Sequence, residues 1–555
     1  MPAATAPLVS PTRQRASEDL LDPVLCWRMV RSRDPRFDGL FFFGVKTTGI
    51  YCRPVCPART PLAAHCVFFE HAAQAEQNGF RPCLRCRPEL APGRWPTDPP
   101  ATERERRVRS AIAVLDQALL AEGGHQASPI RAAAQQLGIS DRHLRRVFVQ
   151  AMGVSPQAYL QTRRLLMAKR LLTDTRLPVI EVAAISGFSS LRRFNASWRQ
   201  QYGFTPTQLR RHRPALPGPA ADSGKTIPDL TFSLPTRPPF ELGALLAFFQ
   251  RRQVEGLESV SAQRMRRALV ILNAEGVAHA GWIEIRATAE ARGAGITVRM
   301  SPSLAPVIPS VLDRVRRAFD LSCRPEAIAL ALGPLVTGHE GLRIPGAIDG
   351  FETAVRAIVG QQITVAQATR RVSDLVSAFG TPVDTPWPEV TRAFPSAACL
   401  ARQPLDQLSQ VLQHRARARA IHSLAHEVAA GRLTLEPTTE IDAVMATLKA
   451  IPGVGEWTAQ YVALRALGWP DAFPDSDAGL LKALGTRSPR QAGQRAQIWR
   501  PYRGYAAIHL WSHGMAPGAH EPSPLSLEFS VTQNPGFPSP KPSMIPTPHD
   551  PDPTR

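Results

Sequence analysis

Cysteine is scarce in this chain, with eight residues among 555, and tyrosine is scarcer still, at six. So few cysteines exclude a small disulfide-framed scaffold. No apolar run reaches the 18 residues that a membrane-spanning helix needs, so no membrane span is expected. The first twenty residues, MPAATAPLVSPTRQRASEDL, lack the apolar core of a signal peptide, and a reducing, cytoplasmic setting is the expectation. Acidic residues are under-represented, 46 against 66 Lys and Arg, for a formal charge of +20. That imbalance points to a polyanionic partner, with nucleic acid first and an anionic membrane surface second. The apolar share of 44% is ordinary for a globular protein, and the length allows three or four domains.

Composition shifts mark the boundaries. A cysteine-bearing region over 13–95 ends in the stretch PTDPP (Pro96–Pro100). A region of helical periodicity follows over 103–213, then a Pro/Gly/Ala/Ser linker over 214–226. The segment 227–305 mixes helical and strand-like runs; WIEIRAT (Trp282–Thr288) and GITVRMS (Gly295–Ser301) read as strands. From 306 to 517 the pattern is helical again, and 518–555 carries ten prolines in 38 residues, the composition of a disordered tail. The expected fold class is multidomain α+β: a small cysteine domain, an all-α domain, a small α/β domain and a second all-α domain. The linker is expected to tether the halves flexibly.

Four of the eight cysteines form a pattern. Cys52 and Cys56 stand in GIYCRPVC, and Cys83 and Cys86 in GFRPCLRC. Two closely spaced pairs let four thiolates converge on one Zn2+ ion, whereas a redox dithiol would not require the second pair. Cys26, Cys66, Cys323 and Cys399 lack such spacing and read as small core residues. The all-α region repeats a motif. GISDRHLRRVF from Gly138 and GFSSLRRFNASW from Gly187 each place Gly and Ser before an Arg-rich amphipathic helix, the signature of a helix-turn-helix. Between Ser140 and Arg213 stand fourteen Lys or Arg against three Asp or Glu. A merely solvated helix face mixes signs, so DNA binding is the expectation.

FFFGVKTTGIYCRPVCPAR followed by GFRPCLRCRP resembles the zinc domain of the bacterial Ada adaptive-response family. The resemblance implies that Cys52, Cys56, Cys83 and Cys86 bind zinc and that Cys52 also accepts a methyl group from DNA methylphosphotriesters. It further implies that Thr48, Arg59 and Arg81 contact DNA, simple surface charge being the alternative for the two arginines. Residues 129–213 resemble the AraC-type DNA-binding domain, which implies two helix-turn-helix units at promoter DNA. Helices are expected to begin near Ser140 and Ser189, with Arg142, Arg145, Arg192 and Arg193 at bases or phosphates. The Pro-Cys-His-Arg site of a second Ada methyltransferase is absent from the sequence, so O6-alkylguanine repair is not implied.

In the second half, IPGVG (Ile451–Gly455) lies inside a helical stretch, and its Gly453 and Gly455 would let backbone N–H groups approach a DNA phosphate. AIDGFETAVRAIVGQQITVAQATR, IPGVGEWTAQYVALRALGW and WRPYRGYAAIHLW resemble the AlkA-type 3-methyladenine DNA glycosylase II family. That resemblance implies a base-flipping enzyme with Asp477 as its carboxylate; Asp475 is the rival. Trp457, Tyr461 and Trp511 would line a cleft for a cationic base, ordinary core aromatics being the alternative. Gln361 and Gln362 stand where the family fills the gap left by the flipped base, though the prototype has an apolar wedge there. Strand-cleaving relatives carry a lysine where this chain has Trp457, so a monofunctional glycosylase is expected. Together the resemblances imply a bifunctional alkylation-damage response protein that regulates transcription and starts base excision repair. Its partners would be double-stranded DNA, alkylated and promoter, and RNA polymerase, with the chain acting as a monomer in the bacterial cytoplasm.

Overall fold

A computed structural model describes residues 21–93, 103–120, 129–211, 229–273, 275–288, 293–437 and 440–513. The linker at 214–226 and the tail at 518–555 lie outside the described residues. Among the described residues no helix is long and apolar enough to cross a membrane. The fold is multidomain α+β, as the sequence pattern suggests.

The N-terminal region opens with α1 (Pro23–Ser32), capped by Asp22, whose side chain accepts from the backbone N–H groups of Val24 and Leu25. Strands β1 (Phe42–Val45), β2 (Ile50–Cys52), β3 (Cys66–Phe69) and β4 (Arg81–Pro82) form one sheet in the order β3-β1-β2-β4. Helix α2 (Ala72–Gln77) precedes β4, which pairs parallel to β2, setting Tyr51 beside Pro82.

Seven helices follow: α3 (Glu103–Leu120), α4 (Pro129–Gln136), α5 (Asp141–Met152), α6 (Pro156–Asp174), α7 (Val179–Ile185), α8 (Leu191–Tyr202) and α9 (Pro206–Arg211). The repeat in the sequence becomes a repeat in structure. Ser140 caps α5 by accepting from His143 N, and Gly153 ends that helix in the left-handed conformation. α8 is built alike: it starts near Ser189 as expected, with Ser190 as its cap, whose hydroxyl accepts from Arg193 N at 3.2 Å. The apolar stripe of α8 buries Phe194, Trp198 and Tyr202, leaving Arg192 and Arg193 outward.

Strands β5 (Leu230–Pro235), β6 (Glu258–Ser261), β7 (Arg264–Leu272), β8 (Ala278–Ala287) and β9 (Gly295–Met300) make a second sheet, ordered β5-β9-β8-β7-β6 and antiparallel throughout. Helix α10 (Leu242–Gln250) crosses between β5 and β6. The expected strand pair is there, with Ile283 opposite Met300. The elements on either side of the linker share one apolar core instead of standing apart as tethered halves. Leu165, Leu172, Phe194 and Trp198 belong to the same buried cluster as Phe232, Leu234, Ile283 and Ile285. Arg170 of α6 seals the seam, donating to Ser233 O at 3.0 Å and lying over the Phe232 ring.

The remaining helices are α11 (Ile308–Ala318), α12 (Pro325–Leu332), α13 (Gly350–Val359), α14 (Val365–Phe379), α15 (Ala397–Ala401), α16 (Leu405–Leu412), α17 (Arg415–Ala429), α18 (Ile441–Ala450), α19 (Glu456–Arg465), α20 (Ala478–Ala483), α21 (Pro489–Arg495) and α22 (Arg503–His513). α13 is buried on nearly every face and runs through the centre of this bundle.

The first sheet docks on α6 through buried polar contacts. Glu76 of α2 accepts from Tyr51 Oη at 2.9 Å and from Thr162 Oγ1 of α6 at 2.7 Å. Burial pushes the Glu76 carboxyl up to about 7, against the pull of Thr162, Tyr51 and Lys169. A carboxyl raised in the folded state favours folding while protonated and loses that advantage as pH climbs from its unfolded value to its folded one. Glu76→Gln is therefore expected to gain stability relative to wild type as pH rises from about 4.5 to about 7, by about 3 kcal/mol at the upper end. Paired thermal melts across that range check it; a difference that is flat with pH contradicts the ionisation of Glu76.

Candidate zinc and base-excision sites

The parallel pairing of β2 with β4 brings the two cysteine pairs together. Cys52 ends β2, and Cys83 follows β4, its N–H donating to Tyr51 O at 2.9 Å. Cys56 is turned back by a bond from its N–H to Arg53 O at 3.0 Å. The four Sγ atoms lie within 4.8 Å of one another and all four residues are buried. Backbone N–H groups of Arg53 and Arg85 donate to Cys86 Sγ at 3.3 Å and Cys83 Sγ at 3.4 Å. Four soft sulfur donors, converging and backed by N–H groups, fit a tetrahedral zinc ion.

Outer contacts fix this cage. Arg53 donates to Asp38 and to Cys86 O, and Lys169 of α6 donates to Cys83 O at 3.2 Å and Glu89 Oε2 at 2.5 Å. Burial alone would raise the Glu89 carboxyl, but Lys169 and Arg87 hold it below the ordinary carboxylate range. A cleft of about 420 Å³ opens over the cage. Cys52, Cys56 and Cys83 line it, and so do Thr48, Arg59 and Arg81, which are exposed. Its far wall is formed by Tyr202 and Phe204 of the second helix-turn-helix unit. Sequence reasoning missed Asp38, 15 residues before Arg53, and also Lys169, Tyr202 and Phe204, which reach the site from the helix-turn-helix region.

On the two capped helices Arg142, Arg145, Arg192 and Arg193 are all exposed, opposite the buried stripes. Arg145 is paired with Asp141 at 2.9 Å, while Arg142 has the outward position beside it.

In the helical bundle, α18 and α19 flank the turn Ile451–Gly455. Gly453 takes φ +91°, open only to glycine at low strain, and Gly455 caps α19. Gln361 is tied to this hairpin, donating from Nε2 to Gly453 O and Thr458 Oγ1, each at 2.9 Å. Gln362 is exposed and holds φ +57°, an uncommon conformation for a residue with a side chain. Asp477 caps α20, its Oδ1 accepting from Leu480 N at 3.1 Å. Trp511 Nε1 donates to the same oxygen at 2.9 Å, and Trp457 Nε1 donates to Oδ2 at 3.0 Å. Tyr461 stacks on Trp457 with centroids 5.3 Å apart and lies 6.4 Å from Trp511. The structure thus gathers Asp477, Trp457, Tyr461 and Trp511. Asp475 faces Gly493 of α21, where a Cβ would lie 3.4 Å from its Oδ2; burial and Glu456 raise its carboxyl. Arg465, unforeseen from the sequence, donates to Tyr461 Oη at 2.5 Å. Burial works against ionisation of the Tyr461 phenol, yet Arg465, Arg252 and Arg356 hold it below its ordinary value.

Three domain families match the chain: the metal binding domain of Ada over residues 25–89, a helix-turn-helix domain over 133–212, and the AlkA N-terminal domain over 231–349. A protein of Mycobacterium tuberculosis (strain ATCC 25618 / H37Rv), named "Probable bifunctional transcriptional activator/DNA repair enzyme AlkA", is 35% identical over 507 residues, covering 88% of this chain and 95% of that one. The chain belongs to this Ada–AlkA fusion family. Each half of an Ada–AlkA fusion also has separate relatives. "DNA-3-methyladenine glycosylase 2" of Escherichia coli (strain K12) is 31% identical over 280 residues, covering 50% of this chain and 96% of that protein. "Bifunctional transcriptional activator/DNA repair enzyme Ada" of the same organism is 37% identical over 138 residues, covering 25% of this chain and 35% of that protein. An Ada-type zinc and helix-turn-helix region is joined here to an AlkA-type glycosylase region, and the four-cysteine cage is a zinc site.

Stripping the zinc with a strong chelator is expected to free Cys52, Cys56, Cys83 and Cys86 for reaction with a thiol reagent. Hydrogen exchange should then lose protection in α6 as well as in β2 and β4, because Lys169 bridges Cys83 and Glu89. Unchanged protection of α6 would show that the cage and that helix are energetically separate.

Proposed function

We propose that this protein senses alkylated DNA through Cys52, regulates promoters through its two helix-turn-helix units, and excises alkylated bases such as 3-methyladenine through Asp477. The observation that carries the excision reading is a half-buried carboxylate held by two indoles, one of them stacked on Tyr461.

N3- and N7-alkylated purines are cationic, so their glycosidic bond is already weakened and no strong general acid is required. Trp457, Tyr461 and Trp511 offer electron-rich faces to a flipped cationic base. Asp477 stabilises positive charge developing on the sugar or directs water to it. Gly453 and Gly455 present backbone N–H groups to the DNA backbone, and the Gln361–Gln362 turn enters the space the base vacates. Trp457 occupies the position of the strand-cleaving lysine, which supports a monofunctional enzyme that leaves an abasic site.

Bound zinc holds its ligand sulfurs as thiolates, which supplies a nucleophile at neutral pH. Cys52 lines the cleft beneath Thr48, Arg59 and Arg81, which seat a DNA phosphotriester at its mouth. The S–C bond forms as the ester C–O bond breaks, and the electron pair stays on the phosphate oxygen, leaving a diester. The methylated sulfur no longer repels phosphate, so DNA binding strengthens and repair becomes a signal. Arg142, Arg145, Arg192 and Arg193 then contact promoter DNA in adjacent major grooves, and the chain, a cytoplasmic monomer, recruits RNA polymerase.

Wild-type protein incubated with methylated duplex DNA is expected to release free 3-methyladenine, and Asp477→Asn to release it at least about 100-fold more slowly. Equal rates would remove Asp477 from the chemistry. Mass spectrometry after exposure to methylphosphotriester DNA should find one methyl group on Cys52; a methyl on another cysteine, or none, overturns the acceptor assignment.

A further inference from the structure

We infer that Trp457 and Trp511 are positioning residues for the Asp477 carboxylate, acting through their indole N–H groups and not only as faces for a base. The inference rests on the excision reading above. Each carboxylate oxygen takes one indole: Trp511 Nε1 reaches Oδ1 at 2.9 Å and Trp457 Nε1 reaches Oδ2 at 3.0 Å. The three residues come from α22, α20 and α19, so the carboxylate ties three helices at one point. Space around the clamp is tight. A Cβ on Gly479 would lie 3.1 Å from Asp477 Oδ1 and 3.3 Å from the Trp511 ring, so that position admits no side chain without a shift. Trp457 is in turn stacked on Tyr461, their planes 15° apart. The wall of the cleft and the carboxylate therefore move as one unit.

The two oxygens are not equivalent. Oδ1 accepts from Leu480 N as well as from Trp511, whereas Oδ2 accepts only one bond, from Trp457, among the described residues. An indole N–H is a donor and can never accept. An asparagine at 477 must place its amide oxygen where two donors meet, at the Oδ1 position. Its NH2 group then confronts the Trp457 N–H, donor against donor. Asp477→Asn thus distorts the cleft in addition to removing charge, and the distortion falls on Trp457 and not on Trp511.

The test uses the full-length, zinc-loaded protein and has two arms. In the first, single-turnover release of 3-methyladenine from dimethyl-sulfate-treated duplex is measured for Trp457→Phe and Trp511→Phe. Both keep an aromatic face and lose the N–H. The rate constant is expected to fall about 10- to 100-fold while the half-saturating protein concentration stays near the wild-type value. A raised half-saturating concentration with an unchanged rate constant overturns the clamp, since it is the signature of base lining alone. In the second arm, affinity for methylated over unmethylated duplex is compared in Asp477→Asn, alone and with each Trp→Phe change. Trp457→Phe is expected to restore the preference by about tenfold, and Trp511→Phe not to restore it. Equal behaviour of the two double variants, or no rescue by either, overturns the clamp. Because this arm needs no turnover, it decides the clamp even if the wild type releases no base, a result that would sink the excision reading instead. Thermal melts of each variant identify any that fail to fold; Gly479→Ala then serves in the first arm, with the same loss of rate expected from displacing Trp511.

Discussion

Two buried cations hold the zinc region in place. Lys169, 1% exposed, places its ammonium on the carbonyl of Cys83 and on Glu89. Arg237, fully buried, donates to the carbonyls of Asp38, Pro92 and Gly93 on one side and of Ser322 and Cys323 on the other. An isolated charge in a protein interior is unfavourable by several kcal/mol unless its donors are met, so neither cation tolerates removal of its surroundings. The zinc region is consequently fastened to α6 by one cation and to the glycosylase region by the other. Around it Arg87 adds a two-bond ion pair to Asp174, and across the same junction Gln74 donates to Met152 O and Gln201 to Phe80 O.

The residues that the structure gathers at both sites stand in short local patterns, and that made them legible in the sequence. Cysteine spacing, Ser caps before Arg-rich helices, the IPGVG turn and an aspartate after it are short patterns whose geometry follows from backbone rules. The start of α8, expected near Ser189, has its cap at Ser190, the second of a run of two serines. The junction was not legible for the opposite reason. Lys169 lies 86 residues from Cys83, and Arg237 lies 199 from Asp38, and a single cation in a basic chain gives no periodic signal. The cleft wall made by Tyr202 and Phe204 is remote in the same way, whereas Arg465, four residues after Tyr461 on α19, is local and escaped notice because a lone Arg marks no motif. A composition of Pro, Gly, Ala and Ser at 214–226 suggested a tether, but composition reports on the linker itself and not on the surfaces it joins.

Charge is handled differently at the two sites. The zinc cage concentrates negative charge and surrounds it with N–H donors, Lys169 and Arg53. The excision site sets one carboxylate among aromatic residues, with Arg465 donating to the Tyr461 hydroxyl. Under the function proposed above, the first arrangement serves a nucleophile that reacts once, and the second a field aimed at a fleeting positive centre.

The core shared by α6, α8 and the second sheet makes the two halves depend on each other for cover. Here Phe194 and Trp198 from one half and Phe232 and Leu234 from the other are buried in a common cluster. Cutting between 213 and 229 would bare an apolar face on both pieces, and bare apolar faces aggregate. The join therefore couples the solubility of the two halves, since each covers apolar surface that the other would otherwise expose.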